Sequence, residues 1–491
     1  MSTAFVAAAR ERAPRAAWTA AAIVVLYTAF FFGVLPALLW ALGAAFDRGF
    51  ALVPLSPTFL PLGAVSFAAG TLLMLASMRT LVARGRGLPI SHLPPHFLVA
   101  RGVYARLRHP IYVGYALALC GAGLHEQSAG RGVLAPLFLW AGTLIYARGF
   151  EEPRLLARFG PAYADYARTT PLLPVPFAAE LAALGQRLWL AARPGVERLA
   201  NRTVLFRAGS SVWVTYGALV ALGGVTGAMT AAPLLAGLGL PPARIALYEL
   251  GLTAAMLAGG RLVWLIYEWR RVWAEPSIVL RRVGFVSFGG YAGFLLFTFL
   301  FARLSHLSAL ALFDRTLPPA FLISAWGRLG CLSYGCCYGR PCRHGLRWRD
   351  PQSKVNREQG SFGAVPRVPT PLLAAGSALL VAALGFALLA RGALPGAISA
   401  SVLLAYSTLR FAVEHFRDEP RLSGLTFTKG QLLSSPIAAL ALALLIALPP
   451  GTVAPAGADA SVLPTLAPVF AAVGVLAFLV CGFHRKEVGR W

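Results

Sequence analysis

Charged residues are scarce in this chain of 491 residues: they make up 13% of it, against about 25% in an ordinary soluble domain. Acidic residues are the scarcest, since 19 Asp and Glu stand against 44 Lys and Arg. Hydrophobic residues make up 57%, and the mean hydropathy is +0.67. This balance excludes a disordered chain, a collagen, a coiled coil and a soluble enzyme. We predict a membrane protein whose arginine excess serves cytoplasmic loops and anionic lipid rather than nucleic acid.

Apolar runs near the length that crosses a bilayer, about 20 residues, recur along the chain. Runs 110–124 and 132–147 are a few residues short and predict a tight helical hairpin, and the run at 306–333 is broken by charged residues. The set predicts an all-α polytopic membrane fold with about twelve transmembrane helices in two bundles. The predicted spans are 18–43, 57–78, 110–124, 132–147, 209–232, 245–268, 283–302, 306–333, 371–390, 394–414, 431–449 and 463–483.

Arginine marks both the orientation and the domain boundary. The N-terminus, with Arg10, Arg12 and Arg15, the segments 79–108 and 148–207, and the C-terminal tail are rich in basic residues. The positive-inside rule makes all of them cytoplasmic. The first run is too long for a cleaved signal peptide. We therefore expect a multi-pass protein of the bacterial inner membrane with a cytoplasmic N-terminus. Its domains would be 1–176, an amphipathic interfacial linker 177–207, and 208–491 with an extra C-terminal helix.

A basic motif opens one short apolar run in the first half, and an acidic pair closes the next. The motif consists of Arg108, His109, Pro110, Tyr112 and Gly114. Proline suits the first turn of a helix, so Arg108 and His109 would sit where the chain enters the membrane. There they could hold a carboxylate, and Gly114 would allow close approach of a flat ligand. The acidic pair would bind ribose hydroxyls or an amino group and balance a sulfonium; its members are Glu151 and Glu152.

Together with a Phe-Gly-x-x-Tyr-x-x-Tyr tail, these motifs resemble the isoprenylcysteine carboxyl methyltransferase and phospholipid methyltransferase superfamily. The tail is Phe159, Gly160, Tyr163 and Tyr166, and the resemblance covers about residues 18–176. It implies that the basic motif and the acidic pair surround S-adenosylmethionine, that Tyr163 contacts substrate, and that a lipid-like acceptor is methylated at the cytoplasmic face.

Three stretches of the second half, residues 327–340, 406–417 and 425–436, contain glycine, arginine or both. Residues 327–340 contain Gly327, Arg328 and Gly330, and tight irregular backbone of this kind at membrane depth is tolerated where it lines a cavity. Arg410 and Glu414 are four residues apart and share one helix face. Ionisable residues inside a membrane helix indicate a functional site, and guanidinium groups suit a phospholipid phosphate.

These stretches resemble prolipoprotein diacylglyceryl transferase over about residues 206–449. The matching residues are Gly327, Arg328, Gly330, Tyr338, Gly339, Arg340, Arg410, Phe411, Glu414, Gly430 and Gln431. The resemblance implies transfer of a diacylglyceryl group from phosphatidylglycerol to a lipoprotein cysteine. It implies catalytic roles for Arg328, Arg410 and Glu414, and substrate contacts for Gly289, Gly290, Gly339 and Arg340.

Three positions depart from that family's pattern. Cys331 replaces an asparagine, Cys336 replaces a glutamate, and Phe288-Gly289-Gly290 falls where the family has its catalytic His-Gly-Gly. Without the histidine, the usual base or hydrogen-bonding group is absent. We therefore expect a divergent transferase that acts on another nucleophile, with phosphate binding retained.

Cysteine is rare, with six residues in the chain, so a disulfide framework is excluded. Four cysteines nevertheless crowd into residues 331–342. They could be small packing residues, reactive thiols or metal ligands, the last using all four or three with His344. Their spacing matches no standard zinc pattern, so no metal is predicted. The possible reactive cysteines are Cys331, Cys336 and Cys337.

The combined hypothesis is a bifunctional transferase that uses S-adenosylmethionine and a phosphatidylglycerol-like phospholipid, with a lipid or lipidated acceptor. One alternative is a methyltransferase whose second half only binds lipid. The other is a non-enzymatic lipid transporter or scaffold. The sidedness of the second site stays open, because the family's site faces the outer leaflet whereas our span count places residues 338–367 inside.

Overall fold

A computed structural model describes residues 24–85, 96–172, 178–277, 284–360, 363–418, 428–448 and 455–485, together with residues 22, 279 and 488. The N-terminal arginines used for the orientation, Arg10, Arg12 and Arg15, lie outside the described residues, and so does Lys486 in the tail. The chain divides into two compact units, residues 1–178 and 179–491.

The first unit consists of helices. Within it, a continuous apolar helical segment spans Gly130–Phe159, because a wide helical turn, Ala147–Glu151, joins two of the helices without a break. The prediction of a short arm over 132–147 was therefore wrong, since the helix continues past the charged residues. The helices are α1 (Leu35–Gly49), α2 (Leu60–Thr80), α3 (Pro110–His125), α4 (Ala135–Tyr146), α5 (Glu152–Phe159) and α6 (Pro161–Thr169).

The second unit is a larger helical bundle with a small sheet. The helix Ala178–Ala200 begins at the boundary between the units, and its Trp189 Nε1 donates to the His344 carbonyl at 2.8 Å. The sheet has three antiparallel strands in the order Val204–Ala208, Ser211–Val214 and Phe483–Arg485. The elements are α7 (Ala178–Ala200), β1 (Val204–Ala208), β2 (Ser211–Val214), α8 (Thr215–Ala236), α9 (Pro242–Tyr267), α10 (Trp269–Ala274), α11 (Ser287–Leu304), α12 (Ala309–Tyr334), β3 (Pro341–Leu346), α13 (Lys354–Gln359), α14 (Thr370–Arg391), α15 (Ala397–Glu414), α16 (Lys429–Ile446), α17 (Leu463–Gly482) and β4 (Phe483–Arg485).

Eight helical segments within the described residues are long and apolar enough to cross a membrane. Three shorter apolar helices, Pro110–His125, Phe288–Leu304 and Gly430–Ile446, correspond to predicted spans. Helix α12 has 26 residues, as many as α9, and corresponds to the predicted span 306–333. Each of the twelve predicted spans thus has a helical counterpart, and the all-α polytopic membrane fold is confirmed.

Helix α12 is continuous, although the sequence predicted a broken run over 306–333. It contains Pro318 and Pro319 in its interior and packs against α8 and α14. Gly385 of α14 gives the proline ring its room, because a Cβ there would lie 2.6 Å from Pro318 Cγ. Proline normally breaks a helix by removing a backbone hydrogen bond, so the packing of neighbouring helices outweighs that cost here.

Close contact of glycines sets the distance between α2 and α3. A Cβ built on Gly121 would lie 2.2 Å from Phe67 N, and one on Gly70 would lie 2.4 Å from Ala118 N. Small residues at such crossings let two backbones approach within a membrane. The same contact holds the start of α3, and with it the basic motif, in place.

We expect Gly121→Ala to lower the stability of the full chain, because an added methyl group meets backbone atoms of α2 that cannot rotate away. Overpacking of this kind costs about 1–3 kcal/mol. Thermal unfolding in detergent measures it, with Gly142→Ala as the control, since nothing lies within 4 Å of a Cβ at Gly142. Equal unfolding temperatures for the two variants would contradict the packing account.

Candidate functional sites

The basic motif lies at the start of α3, as predicted. Pro110 occupies the first turn of the helix, and His109 is its N-terminal cap residue with an extended φ of −126°. Since the His109 side chain makes no capping hydrogen bond, it is free to point toward the acidic pair. The helix start therefore presents Arg108 and His109 next to each other.

The basic motif and the acidic pair come together. Arg108 Nη1 forms an ion pair with Glu152 Oε1, and Tyr112 OH donates to Glu151 Oε2 at 2.8 Å. His109 lies between the two carboxylates: Nδ1 is 3.4 Å from Glu151 Oε2 and Nε2 is 3.7 Å from Glu152 Oε1. His109 is only 6% exposed, and none of the described residues hydrogen-bonds to its Nε2. The geometry makes one polar cluster of these five residues, which we call the carboxylate cluster.

The aromatic tail extends the carboxylate cluster. Gly160 joins α5 to α6 with φ +55°, a conformation that favours glycine. This turn brings Tyr163 OH to 3.3 Å from Glu152 Oε1, to which it donates. Burial, and then the charge of Glu152, raises the pKa of Tyr163 above its ordinary value. The phenol therefore stays protonated and acts as a donor. Tyr166 OH donates to the Tyr104 carbonyl at 2.6 Å instead.

Gly114 does not face the cluster in the way the sequence suggested. A Cβ there would lie 2.7 Å from Gly70 O and 2.8 Å from Met74 N. The glycine therefore allows α3 to approach α2, and the expected close approach to a flat ligand finds no support in its position.

Half of the residues that line a cavity beside the carboxylate cluster are aromatic. Tyr112 and Glu151 form part of its lining, which joins the cavity to the cluster. Sequence reasoning missed most of the wall, although the three-residue spacing of Tyr112 and Tyr115 places both rings on one face of α3. The aromatic lining residues are Tyr27, Phe31, Phe32, Tyr112, Tyr115 and Tyr146.

In the second unit, Glu414 is fully buried at the end of α15. Its Oε2 forms an ion pair with Arg410 Nη2 at 2.7 Å and another with Arg417 Nη1 at 3.3 Å. Arg410 was predicted from its four-residue spacing, whereas Arg417 was missed, although a spacing of three also places side chains together. Gly430 makes room for the carboxylate, since a Cβ there would lie 2.5 Å from Glu414 Cδ.

Arg328 and Arg410 share one tyrosine neighbour, and a second tyrosine lies near Arg328. Tyr291 lies within electrostatic range of both arginines, and Tyr406 lies within range of Arg328 and of Tyr291. Tyr291 is 42% exposed, so the group is open on one side. Sequence reasoning missed both tyrosines, although Tyr406 precedes Arg410 by one helical turn. We call these four residues the arginine–tyrosine group.

The predicted substrate glycines serve helix packing. A Cβ on Gly289 would lie 2.0 Å from Gly259 O, and one on Gly290 would lie 3.4 Å from Met256 O. Gly289 therefore lets α11 approach α9 closely, whereas a Cβ at Gly290 would meet only ordinary van der Waals contact. Phe288, which the sequence resemblance sets against the family's histidine, is 51% exposed.

Gly339 and Arg340 attach the segment after α12 to the end of α15. Gly339 N donates to Val368 O at 3.1 Å, and Arg340 N donates to Phe416 O at 3.0 Å. Arg340 Nε also donates to the Arg417 carbonyl at 3.3 Å. Arg340 therefore binds the backbone of Phe416 and Arg417.

Three of the four crowded cysteines meet where α12 ends. The Sγ atoms of Cys331, Cys336 and Cys337 all lie within 4.8 Å of one another. Hydrogen bonds from Cys331 and Cys336, followed by the charges of Arg417 and Arg328, lower the pKa of the Cys337 thiol well below its ordinary value. Within the described residues, Cys342 does not join this group.

Two family models match the chain, one in each half. The phospholipid methyltransferase model matches residues 59–162, and the prolipoprotein diacylglyceryl transferase model matches residues 203–447. Both resemblances seen in the sequence are confirmed.

Curated relatives match the second half. A phosphatidylglycerol–prolipoprotein diacylglyceryl transferase 2 of Clostridium perfringens is 31% identical over 183 residues, which cover 36% of this chain and 68% of the relative. The chain belongs to the prolipoprotein diacylglyceryl transferase family. A transferase of Aromatoleum aromaticum is 31% identical over 39% of this chain and 72% of its own length. One of Clostridium tetani is 30% identical over 18% of this chain and 35% of its own length. The protein is thus a multi-pass membrane transferase.

We expect Glu414→Ala to destabilise the second unit strongly, because it leaves Arg410 and Arg417 without their shared carboxylate. Breaking a buried pair in this way costs about 3–5 kcal/mol. The matched control is Glu358→Ala, whose exposed pair with Lys354 at 3.6 Å is worth about 0–1 kcal/mol. Thermal unfolding of the full chain in detergent compares them, and a Glu414→Ala protein as stable as the control would refute the role of the pair.

Proposed function

We propose that the protein is a bifunctional lipid-modifying enzyme. Its first unit would transfer a methyl group from S-adenosylmethionine to a lipid-like acceptor. Its second unit would transfer a diacylglyceryl group from a phosphatidylglycerol-like phospholipid to a lipoprotein or another nucleophile. The observation that carries the proposal is that each unit pairs ionisable residues that the two resemblances single out: Arg108 with Glu152 in the first unit, and Arg410 with Glu414 in the second.

The carboxylate cluster fits S-adenosylmethionine. His109 Nε2 is a buried polar atom without a hydrogen-bond partner among the described residues, so it offers a donor or acceptor to a ligand. Arg108 and His109 can hold a carboxylate, and Glu151 and Glu152 can accept from hydroxyl or amino groups. The aromatic rings of the adjoining cavity favour a cation. When bound, the donor supplies an electrophilic methyl group on a sulfonium.

The residues of the first unit would act mainly by positioning. Tyr112 and Tyr163 hold the two carboxylates by hydrogen bonds, which fixes their direction before a ligand arrives. The apolar wall of the cavity excludes water from the place where the methyl acceptor would lie. Methyl transfer needs alignment and desolvation above all, and the cluster offers both.

We expect Glu151→Gln to weaken S-adenosylmethionine binding about 10–100-fold, because a charged hydrogen bond is worth about 1.5–3 kcal/mol. Calorimetric titration of the detergent-solubilised full chain measures the affinity. The control is Arg168→Ala, since this arginine is 77% exposed on α6 and lies outside the cluster. Absence of binding by the unmodified protein, or equal affinities for both variants, would refute the methyl-donor proposal.

The arginine–tyrosine group supports phospholipid binding in the second unit. One guanidinium group can bind two phosphate oxygens at once. Two arginines near the partly exposed Tyr291 therefore suit a phosphodiester. As a negative charge develops on the departing glycerol phosphate, Arg328 and Arg410 would stabilise it. Glu414 would keep the Arg410 side chain in place through the 2.7 Å ion pair.

We expect Arg328→Lys to reduce diacylglyceryl transfer at least tenfold, since lysine cannot reproduce a bidentate contact. Headgroup-labelled phosphatidylglycerol in nanodiscs, with a single-cysteine peptide as acceptor, releases labelled glycerol phosphate as the readout. Arg303→Lys is the control, because Arg303 is exposed at the end of α11. An unchanged rate for Arg328→Lys would contradict the assignment.

One alternative is favoured by a specific residue. Phe288 cannot act as the base that the family's histidine supplies, so the second unit could bind phospholipid without transferring it. In that case the unmodified protein would release no labelled glycerol phosphate, while methylation in the same nanodiscs continued.

The proposed location is the bacterial inner membrane, with a cytoplasmic N-terminus. The arginine content of residues 79–108 and 148–207 supports this orientation. S-adenosylmethionine is made in the cytosol, so a cytoplasmic carboxylate cluster would have access to it.

A further inference from the structure

A sharp reversal of the chain brings three thiols together at the end of α12. Gly335 ends the helix with a φ of +71°, and Cys336 N then donates to the Cys331 carbonyl at 3.1 Å. This bond between residues five apart is typical of a helix C-terminus. It places the Cys336 and Cys337 thiols beside the thiol of Cys331, so that all three Sγ atoms lie within 4.8 Å of one another.

This spacing suits a thiolate-bound zinc ion. Zinc–sulfur bonds of about 2.3 Å in a tetrahedral site place the sulfur atoms about 3.8 Å apart. Small rotations of the cysteine side chains close the remaining distance. Thiolates are also the ligands that thiophilic metals select over carboxylates.

Cys337 holds a backbone conformation that disfavours a side chain. Its φ is +57°, in the left-handed region where residues other than glycine are uncommon. The Thr370 hydroxyl donates to the Cys337 carbonyl at 2.6 Å, which fixes this conformation. Glycine at position 337 would adopt this φ without strain. The chain instead has a cysteine there, whose thiol lies beside those of Cys331 and Cys336. Strain of this kind indicates a functional constraint.

Positive charge surrounds the three thiols. Arg328 lies one turn before Cys331 on α12 and within electrostatic range of Cys331 and Cys337, and Arg417 lies within range of Cys337. Three thiolates and one Zn²⁺ carry a net charge of −1, which these guanidinium groups would balance. The same Arg328 belongs to the arginine–tyrosine group, so the thiols adjoin the proposed phospholipid site.

The group supplies three ligands. Within the described part of the chain, no fourth His, Cys, Asp or Glu joins it, and Cys336 and Cys337 remain partly exposed. Catalytic zinc sites have three protein ligands and leave the fourth position to water or substrate. The arrangement therefore leaves one coordination position for a ligand from outside.

We infer that Cys331, Cys336 and Cys337 bind Zn²⁺ as a three-thiolate site, and that the fourth position takes the thiol of the acceptor in diacylglyceryl transfer. The inference rests on the proposed function of the second unit and deepens it. A zinc-bound thiol is deprotonated outright. The metal would thereby supply the activation that the family's histidine supplies, at a place where this chain has Phe288.

The proposed step balances without a redox partner. The acceptor thiol binds Zn²⁺ and loses its proton to water, and its sulfur lone pair attacks the diacylglyceryl carbon that bears the phosphate. A carbon–sulfur bond forms as the carbon–oxygen bond breaks. The electron pair leaves with glycerol phosphate, whose added negative charge faces Arg328 and Arg410.

Metal analysis of the full-length protein in nanodiscs tests the site. After reconstitution with zinc under reducing conditions and removal of free metal, we expect about one zinc per chain, as in other structural and catalytic zinc sites. The Cys336→Ser and Cys337→Ser variants should lose it. Cys342→Ser should retain it, because Cys342 lies outside the group. Absence of zinc from the unmodified protein, or a disulfide between any two of the three cysteines, would overturn the inference without requiring any variant to fold.

Cobalt substitution tests the open position. Co²⁺ in the site should show a thiolate charge-transfer band, which a single-cysteine peptide should shift and the matched serine peptide should not. A band that the cysteine peptide leaves unchanged would refute thiol activation. Metal content is measured independently of turnover. A protein with full zinc content but no transfer from phosphatidylglycerol would refute the proposed function while upholding the metal site.

Discussion

The structure depends on the rule that a charge inside an apolar bundle needs a partner. Glu414 has no exposed surface, and it is retained because Arg410 and Arg417 both reach its carboxylate. In the first unit, Arg108 pairs with Glu152 and the Tyr112 hydroxyl donates to Glu151. Removing charges from water costs several kcal/mol per ion. A chain with so few acidic residues would keep these only where pairing or a ligand offsets that cost.

Close helix packing creates the places where those charges meet. Glycines in both units allow backbones to touch, as Gly114 does between α3 and α2 and Gly289 does between α11 and α9. Several glycines that resemble ligand-binding residues in the sequence therefore contribute by allowing close helix packing. They set the helix positions from which Arg, Glu and Tyr side chains reach a common point.

Much of the architecture could be predicted because membrane spans are long apolar runs. The pairing of Arg410 with Glu414 could also be predicted, since both lie on one helix. Contacts between distant segments could not, and Tyr291 near Arg328 is an example. Helix continuity over 306–333 was missed as well, because the packing that holds Pro318 comes from another helix.

The cysteine group shows the same limit. The spacing of Cys331, Cys336 and Cys337 resembles no standard zinc pattern, so sequence alone gives no reason to expect a metal. The thiols meet because Gly335 reverses the chain within one turn of the helix end. The standard spacing patterns describe metal ligands on loops and hairpins. They do not cover these three cysteines, because the cysteines lie at the C-terminus of a helix.

We propose that polar side chains are kept in this apolar protein because they bind charged ligands. An electron cryo-microscopy map of the full chain in phosphatidylglycerol nanodiscs would show the lipid headgroups beside Tyr291. We expect a lipid phosphate in contact with the guanidinium groups of both Arg328 and Arg410. A map in which both arginines contact only protein groups, with every lipid headgroup elsewhere, would refute the proposal.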